Sequence, residues 1–260
     1  MCGFTGILNL KGDSISPKSL KKMTHELSHR GPDGEGYWID GQMGMGHRRL
    51  AVIDLSEAGQ QPMYTSDSRF VLAYNGEIYN YLEYKKKLEG YGIEFKSKTD
   101  TEVILYSLAK WGPSILNEFN GMFSLALWDR QKKELLLARD RYGIKPLYYA
   151  EQNNNILFAS EQKAIVKFPN FRKKLNNDAL LEYFTFQNIF KEHTLTQDIK
   201  LISPGNYLII NTNNNRPNIR IKKYWDFCFS EDNRNSNEEN YESLEYLLKQ
   251  AVNRQLIGDV

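Results

Sequence analysis

The 260-residue chain is short of several things that would narrow its function at once. It has two cysteines, Cys2 and Cys228, too few and too far apart for a disulfide framework, and the reading is a reduced, cytoplasmic protein. It has no charge excess: 34 Lys and Arg against 32 Asp and Glu leave a net +2, which gives no electrostatic basis for a nucleic-acid or membrane partner. No apolar run approaches the roughly 20 residues of a spanning helix. The polar run from Asn9 to Asp13 interrupts the N-terminus before a signal-peptide core can form. None of the four His residues (His25, His29, His47, His193) sits in an H-x-x-x-H pattern or beside clustered cysteines, so no metal is expected. The Gly-rich "GPDGEG" at 31–36 lacks the Lys-Ser/Thr ending of a phosphate loop. No internal repeat is visible.

What is present is a 41% apolar chain with sixteen Tyr, patterned as alternating strands and helices. Strand 3–10 precedes a helix with Ser16 as N-cap, Pro17 at the first position and Leu20, Met23 and Leu27 on one face. Residues 30–36 read as a turn, and 43–55 as a strand, a polar break and a second strand. "FVLAYNGEIYNY" is a strand running into Asn75-Gly76 and out again. Helices follow, one ending at Gly90 and one capped near Thr99 or Asp100. Apolar, aromatic strands "GMFSLALWD", "KELLLARD", "PLYYAE" and "NILFASE" then read as sheet covered on at least one face. Helix-like "NNDALLEYFTF" and strand-like "GNYLIIN" close this unit near residue 212. Residues 213–237, Asn- and charge-rich around strand-like "IRIKKYWDF", read as a domain margin and linker. The last stretch, 238–260, reads as an amphipathic helix with Tyr241, Leu244, Leu248, Ala251 and Val252 on one face.

One of the two cysteines stands directly behind the initiator Met. Initiator-methionine peptidases accept a small second residue, and removal of Met1 gives Cys2 a free α-amine beside its thiol. An α-amine titrates at roughly 7.7–8.0, so it can take the thiol proton without a histidine. By itself such a Cys more often merely starts a strand. Three other stretches bear on the choice. Asn75 and the N–H of Gly76 are two donors suited to an oxyanion, although an Asn-Gly pair is more commonly a hairpin turn. Arg49 has the planar fork that suits a carboxylate, while its neighbour Arg48 reads as a solvated cation. Asp100, at a helix start, suits an ammonium or is simply the cap. Thiol, oxyanion donors, cation and carboxylate together suit a zwitterionic amino acid with an amide to cleave.

Ten stretches carry a resemblance: "MCGFTGI", "HRGPDGEG", "GHRRLAVIDL", "AGQQPM", "YNGEIYNY", "TDTEVIL", "GMFSLALWD", "LLLARDRYGIKPLYY", "FASEQKAI" and "SPGNYL". In this order they resemble the class II glutamine amidotransferases, N-terminal-nucleophile hydrolases, and within them the glutaminase half of glutamine-hydrolysing asparagine synthetase. The resemblance covers about residues 2–210. It implies an α+β, four-layer αββα sandwich over residues 2–212 that hydrolyses L-glutamine to glutamate and ammonia through a cysteine thioester. Carried over by position, it implies Cys2 as nucleophile and Asn75 with Gly76 as oxyanion hole. It implies Arg49, Glu77 and Asp100 on the glutamine head groups, backbone from Leu50, Ala51, Val52 and Ile53 lining the pocket, and 29–33 as a loop closing over the substrate.

In the same family the helix after the linker leads into an ATP-dependent synthetase domain. Here the sequence stops at "QLIGDV", where that domain's phosphate-binding loop is expected next, so 238–260 reads as the first helix of a synthetase domain. ATP and Mg are expected only in that domain, and no cofactor in the glutaminase unit. Its partner is expected in cis or trans, with a homodimer open. Two alternatives stand beside the supply of ammonia for asparagine synthesis: a glutaminase serving another acceptor, and a catalytically silent regulatory module.

Overall fold

Alternate residues of the first strand already specify a layered structure. Phe4 and Leu8 pack to one side and Ile7 to the other, and all three are fully buried, so both faces of this strand are covered. The computed structural model describes residues 1–213, 218–230 and 236–256. In chain order its strands are β1 (Gly3–Asn9), β2 (Gly34–Asp40), β3 (Met43–Arg49), β4 (Met63–Tyr64), β5 (Phe70–Ile78), β6 (Gly121–Asp129), β7 (Glu134–Arg139), β8 (Tyr148–Gln152), β9 (Asn155–Ala159), β10 (Ile199–Leu201), β11 (Asn206–Asn211) and β12 (Asn218–Lys223). Its helices are α1 (Pro17–His25), α2 (Tyr81–Glu89), α3 (Asp100–Trp111), α4 (Gln162–Val166), α5 (Asn177–Phe186) and α6 (Asn237–Gln255).

The strands form two antiparallel sheets, in the orders β10-β8-β9-β1-β3-β2 and β12-β11-β7-β6-β5-β4. Three apolar layers hold them. Phe4, Met43 and Met45 of the first sheet meet Val71, Ala73, Trp128 and Leu137 of the second between the sheets. Leu20, Met23 and Leu27 from the α1 region, with Ile165 of α4, cover Ile7 and Leu157 on the first sheet's outer face. Leu88 of α2 and Val103, Ile104 and Leu108 of α3 cover Leu72, Leu125 and Leu127 on the second. The result is the expected four-layer αββα arrangement of an α+β fold.

Local signals hold where capping chemistry decides. Ser16 caps α1 through Ser19 N–H, and Thr99 caps α3 through Glu102 N–H. Two local expectations fail, each for a tertiary reason, and one alternative weighed above is excluded. Residues 34–36 are not turn but the start of β2, paired with β3 from Gly34 opposite Arg49. Residues 50–55 are not a second strand. Ladder pairing stops at Arg49, and the loop beyond turns the carbonyls of Asp54 and Ser56 onto the Arg49 guanidinium, with Asp54 at φ 59°. Asn75-Gly76 is not a turn either: both lie inside β5, opposite Ser124 and Phe123 of β6. Gly76 is required there by close approach, because a Cβ would stand 2.3 Å from the carbonyl oxygen of Met122. Three short elements, β4, α4 and β10, had no signal that the sequence reading picked up.

The segment 213–237 contributes β12, which pairs with β11 along the second sheet's edge. Helix α6 opens with a capping box, Glu239 N–H to Ser236 Oγ and Ser236 N–H to Glu239 Oε2, and its Tyr241, Leu244, Leu248 and Val252 are exposed. Of the helix expected over 238–260, residues 257–260 lie outside the described residues.

Candidate active site

Where β1 begins and β3 and β5 end, a pocket gathers nearly all the residues singled out from the sequence. Cys2, Arg49, Leu50, Val52, Ile53, Asn75, Gly76, Glu77 and Asp100 line it. Ala51 does not: its N–H is turned to Asp33 Oδ2 at 2.9 Å. The 29–33 segment, expected to close over a ligand, does not line the pocket. It is tied down beside the cysteine, Arg30 Nε donating to Cys2 O at 2.9 Å and Arg30 Nη1 pairing with Glu161 at 2.7 Å. Arg48 is not solvated, since it pairs with Glu35 at 2.7 Å and its side chain is largely covered.

Cys2 precedes β1, and its sulfur is held between the backbone groups of Leu50: Leu50 N–H donates to Sγ at 3.3 Å, and Sγ lies 3.4 Å from Leu50 O. Burial pushes the thiol up, while the Leu50 N–H, the nearby terminal amine and Arg49 work against that rise. Met1 is present here, and its α-amine is lowered by burial, with Arg30 and Lys145 adding to the effect. Lys145 approaches the Met1 sulfur at 3.2 Å.

The edge of β5 supplies the donors. Phe123 of β6 uses its own N–H and C=O on Asp140, so the Gly76–Phe123 pair exchanges no ladder bonds. By strand alternation, Tyr74, Gly76 and Ile78 all turn their backbone groups to the opposite edge. Strand β4 covers that edge only as far as Leu72. Beyond it, Tyr74 N–H meets Gln61 Oε1 at 2.7 Å, Tyr74 O meets His47 Nε2 at 3.0 Å, and Ile78 N–H meets Asp100 Oδ2 at 3.0 Å. The N–H of Gly76 therefore faces the pocket. The side chain of Asn75 is buried, and its Nδ2 has no hydrogen-bond partner among the described residues. An amide donor left unpaired in the interior costs about 1–3 kcal/mol, which a ligand oxygen at this position relieves.

Two charges of opposite sign complete the lining. The Arg49 guanidinium is clamped by Ser56 O at 2.6 Å and by Asp54 O, each through one N–H, which leaves further donors on the same plane. Gly59 makes room for it, since a Cβ there would lie 2.2 Å from Arg49 Nη2. Asp100, the first residue of α3, is buried, and burial raises its carboxyl to about 6 despite bonds from Ile78 N–H and from Tyr74 OH at 2.9 Å. Tyr74, Gln61, Thr99, Thr101, Gly59 and Lys145 also form this lining and were not expected in it. All six lie inside quoted motifs, but nothing in their type or spacing announced a pocket position.

A family model described as the glutamine amidotransferase domain matches residues 1–225. The chain belongs to the class II glutamine amidotransferases. Two curated amidotransferase relatives come from Bacillus subtilis. "Asparagine synthetase [glutamine-hydrolyzing] 3" is 35% identical over all of this chain and 42% of its own length, and number 1 is 37% identical over 81% of this chain and 33% of its own. A Methanocaldococcus jannaschii protein named putative asparagine synthetase 2 is 37% identical over 87% of this chain and 47% of its own. The chain thus spans less than half the length of these relatives. Among solved structures, the glutamine phosphoribosylpyrophosphate amidotransferase of B. subtilis superposes with a TM-score of 0.63, over 86% of this chain and 49% of that one. At 20% identity the match supports the N-terminal-nucleophile fold alone. Among the described residues of this amidotransferase chain, no group of three or more His, Cys, Asp or Glu is arranged to hold a metal ion. No described helix is long and apolar enough to cross a membrane.

Proposed function

We propose that the pocket hydrolyses L-glutamine to glutamate and ammonia, with Cys2 as nucleophile once Met1 has been removed. The observation that carries this reading is the buried, unpartnered Asn75 Nδ2 in the same pocket as the thiol and the outward N–H of Gly76. In the proposed reaction the Cys2 α-amine accepts the thiol proton and sulfur bonds to the side-chain carbonyl carbon. The carbonyl oxygen becomes an oxyanion between Asn75 Nδ2 and Gly76 N–H. The amine returns the proton to the leaving nitrogen, ammonia departs, and water cleaves the γ-glutamyl thioester to glutamate and free thiol. Arg49 takes the substrate carboxylate as a planar fork, and Asp100 with Glu77 takes its ammonium. Leu50, Val52 and Ile53 add to the lining of the pocket.

By extension from the relatives, the ammonia serves ATP-dependent amidation of aspartate to asparagine. In this proposal residues 2–212 are the glutaminase unit, 213–237 the margin, and α6 begins a synthetase domain that binds ATP and Mg, in cis or trans. The test is ammonia release from glutamine by the Met1-free chain, with asparagine formation measured when a synthetase partner, aspartate, ATP and Mg are added. Absence of ammonia release refutes the glutaminase reading. Release of ammonia that never reaches aspartate refutes the acceptor.

A further inference from the structure

The described elements leave one question in the pocket wall: what aims Asn75 when its own amide nitrogen has no partner. A strand residue is ordinarily held by ladders on both edges. At Tyr74 the ladder to β4 is gone, and two side chains from other segments stand in its place. His47, on β3 of the facing sheet, meets Tyr74 O at 3.0 Å, and Gln61, just before β4, accepts Tyr74 N–H at 2.7 Å. Both side chains are buried. We propose that His47 and Gln61 are positioning residues that clamp the Tyr74–Asn75 backbone and thereby aim the oxyanion donors of Asn75 and Gly76; this rests on the glutaminase reading above.

The chemistry of each group agrees with such a role. Tyr74 O is only an acceptor, so the His47 proton must sit on Nε2, and Nδ1 is left as a lone pair. Among the described residues that Nδ1 is buried without a partner, an unrepaid cost for a residue serving packing alone. Burial holds the ring neutral, lowering its pKa to about 4, so the clamp keeps one protonation state at neutral pH. Gln61 is oriented at its other end, where Nε2 reaches Thr101 Oγ1 at 3.4 Å on α3. Tyr74 carries a second duty, its hydroxyl donating to Asp100. One short segment of β5 is thus fastened to the facing sheet, to the strand-entry loop and to α3.

The experiment uses the Met1-free 260-residue chain and the variants H47M, H47Q and Q61M. H47M keeps length but removes the donor, H47Q places an amide N–H near the position of Nε2, and Q61M removes the acceptor. Glutaminase kinetics are measured alongside amide hydrogen exchange at Tyr74 and Asn75, with Ala126 and Leu127 in the fully laddered part of the sheet as internal reference. The clamp predicts that H47M and Q61M lower kcat on the order of tenfold, less than the roughly 10²–10³-fold cost of deleting a donor outright. KM for glutamine changes less than kcat, exchange accelerates at Tyr74 and Asn75 but not at the reference amides, and H47Q restores both. Unchanged kcat and unchanged exchange in H47M overturn the proposal. So does a loss spread evenly over the reference amides and not rescued by H47Q, which marks His47 as a packing residue. If the unsubstituted chain releases no ammonia, the glutaminase reading falls, and the exchange comparison still decides the clamp.

Discussion

Residues 70–73 of β5 lie between β4 and β6, while residues 74–78 keep β6 and lose β4. In the first half Val71 and Ala73 fill the layer between the sheets and Leu72 packs under the outer helices; β4 ladders with Val71 and Leu72, and Thr65 meets the edge groups of Phe70. In the second half the same backbone edge is met by side chains (Gln61, His47 and Asp100), with Gly76 N–H and Asn75 Nδ2 left for a ligand. On the proposed function, the fold makes a binding edge by stopping one strand early. The laddered half should carry stability, and the open half should carry chemistry at some expense of stability.

Cys2→Ala breaks the comparison most sharply. It should abolish ammonia release while leaving the melting temperature close to that of the parent, as should retention of Met1, which moves the α-amine away from the thiol. Both are read by coupled ammonia assay and thermal unfolding. Next, Asn75→Ala in the open half should lower kcat by about 10²–10³-fold, equivalent to about 2.7–4 kcal/mol of transition-state stabilisation. Its melting temperature should not fall, because the lost amide is unpaired at rest. Leu72→Ala in the laddered half should do the reverse. Removing this fully buried side chain should cost about 2–5 kcal/mol of stability and leave kcat of the folded protein intact. If both variants lose activity and stability in the same proportion, the division of β5 is wrong.

Smaller effects come from the charged groups. Arg49→Ala should raise KM for glutamine with little change in kcat, and Arg49→Lys should rescue it poorly because an ammonium lacks the planar fork. With the Asp100 carboxyl raised to about 6 by burial, the unliganded fold prefers it protonated. That contribution is complete below the ordinary carboxylate value and is lost as pH rises through 6. Binding a substrate ammonium needs the carboxylate, so KM should rise about tenfold for each pH unit below 6 and level off above it. A KM flat from pH 5 to 8 would remove Asp100 from the ammonium site.

How much of this was legible beforehand differs between the halves for a physical reason. Alternating apolar residues and caps at Ser16 and Thr99 are local signals, and they marked strands and helix starts, while the four-layer order came only with the resemblance. Cys2, Arg49, Asn75, Gly76 and Asp100 were legible because each is a chemically distinct residue inside a quoted motif, and the pocket gathers them. The backbone around them was legible only in part. The dipeptide at 75–76 looks like a turn unless β6 is known to lie alongside it, and 50–55 looks like a strand until the Arg49 guanidinium claims its carbonyls. His47, Gln61, Tyr74 and Lys145 were invisible as site residues for the same reason. What they do depends on where β4 stops and which residue faces them across the sheets, which is a matter of register and not of type.

The proposed chemistry needs a single nucleophile at a trimmed N-terminus, and a chloromethyl ketone analogue of glutamine tests it directly. The Met1-free chain is treated with the analogue, weighed intact and mapped by peptide mass. The expected result is one adduct, on Cys2, that excess glutamine prevents and that the Met1-retaining chain does not form, with the exposed Cys228 unmodified. An adduct on Cys228 alone, or ammonia release that persists in Cys2→Ala, would contradict it.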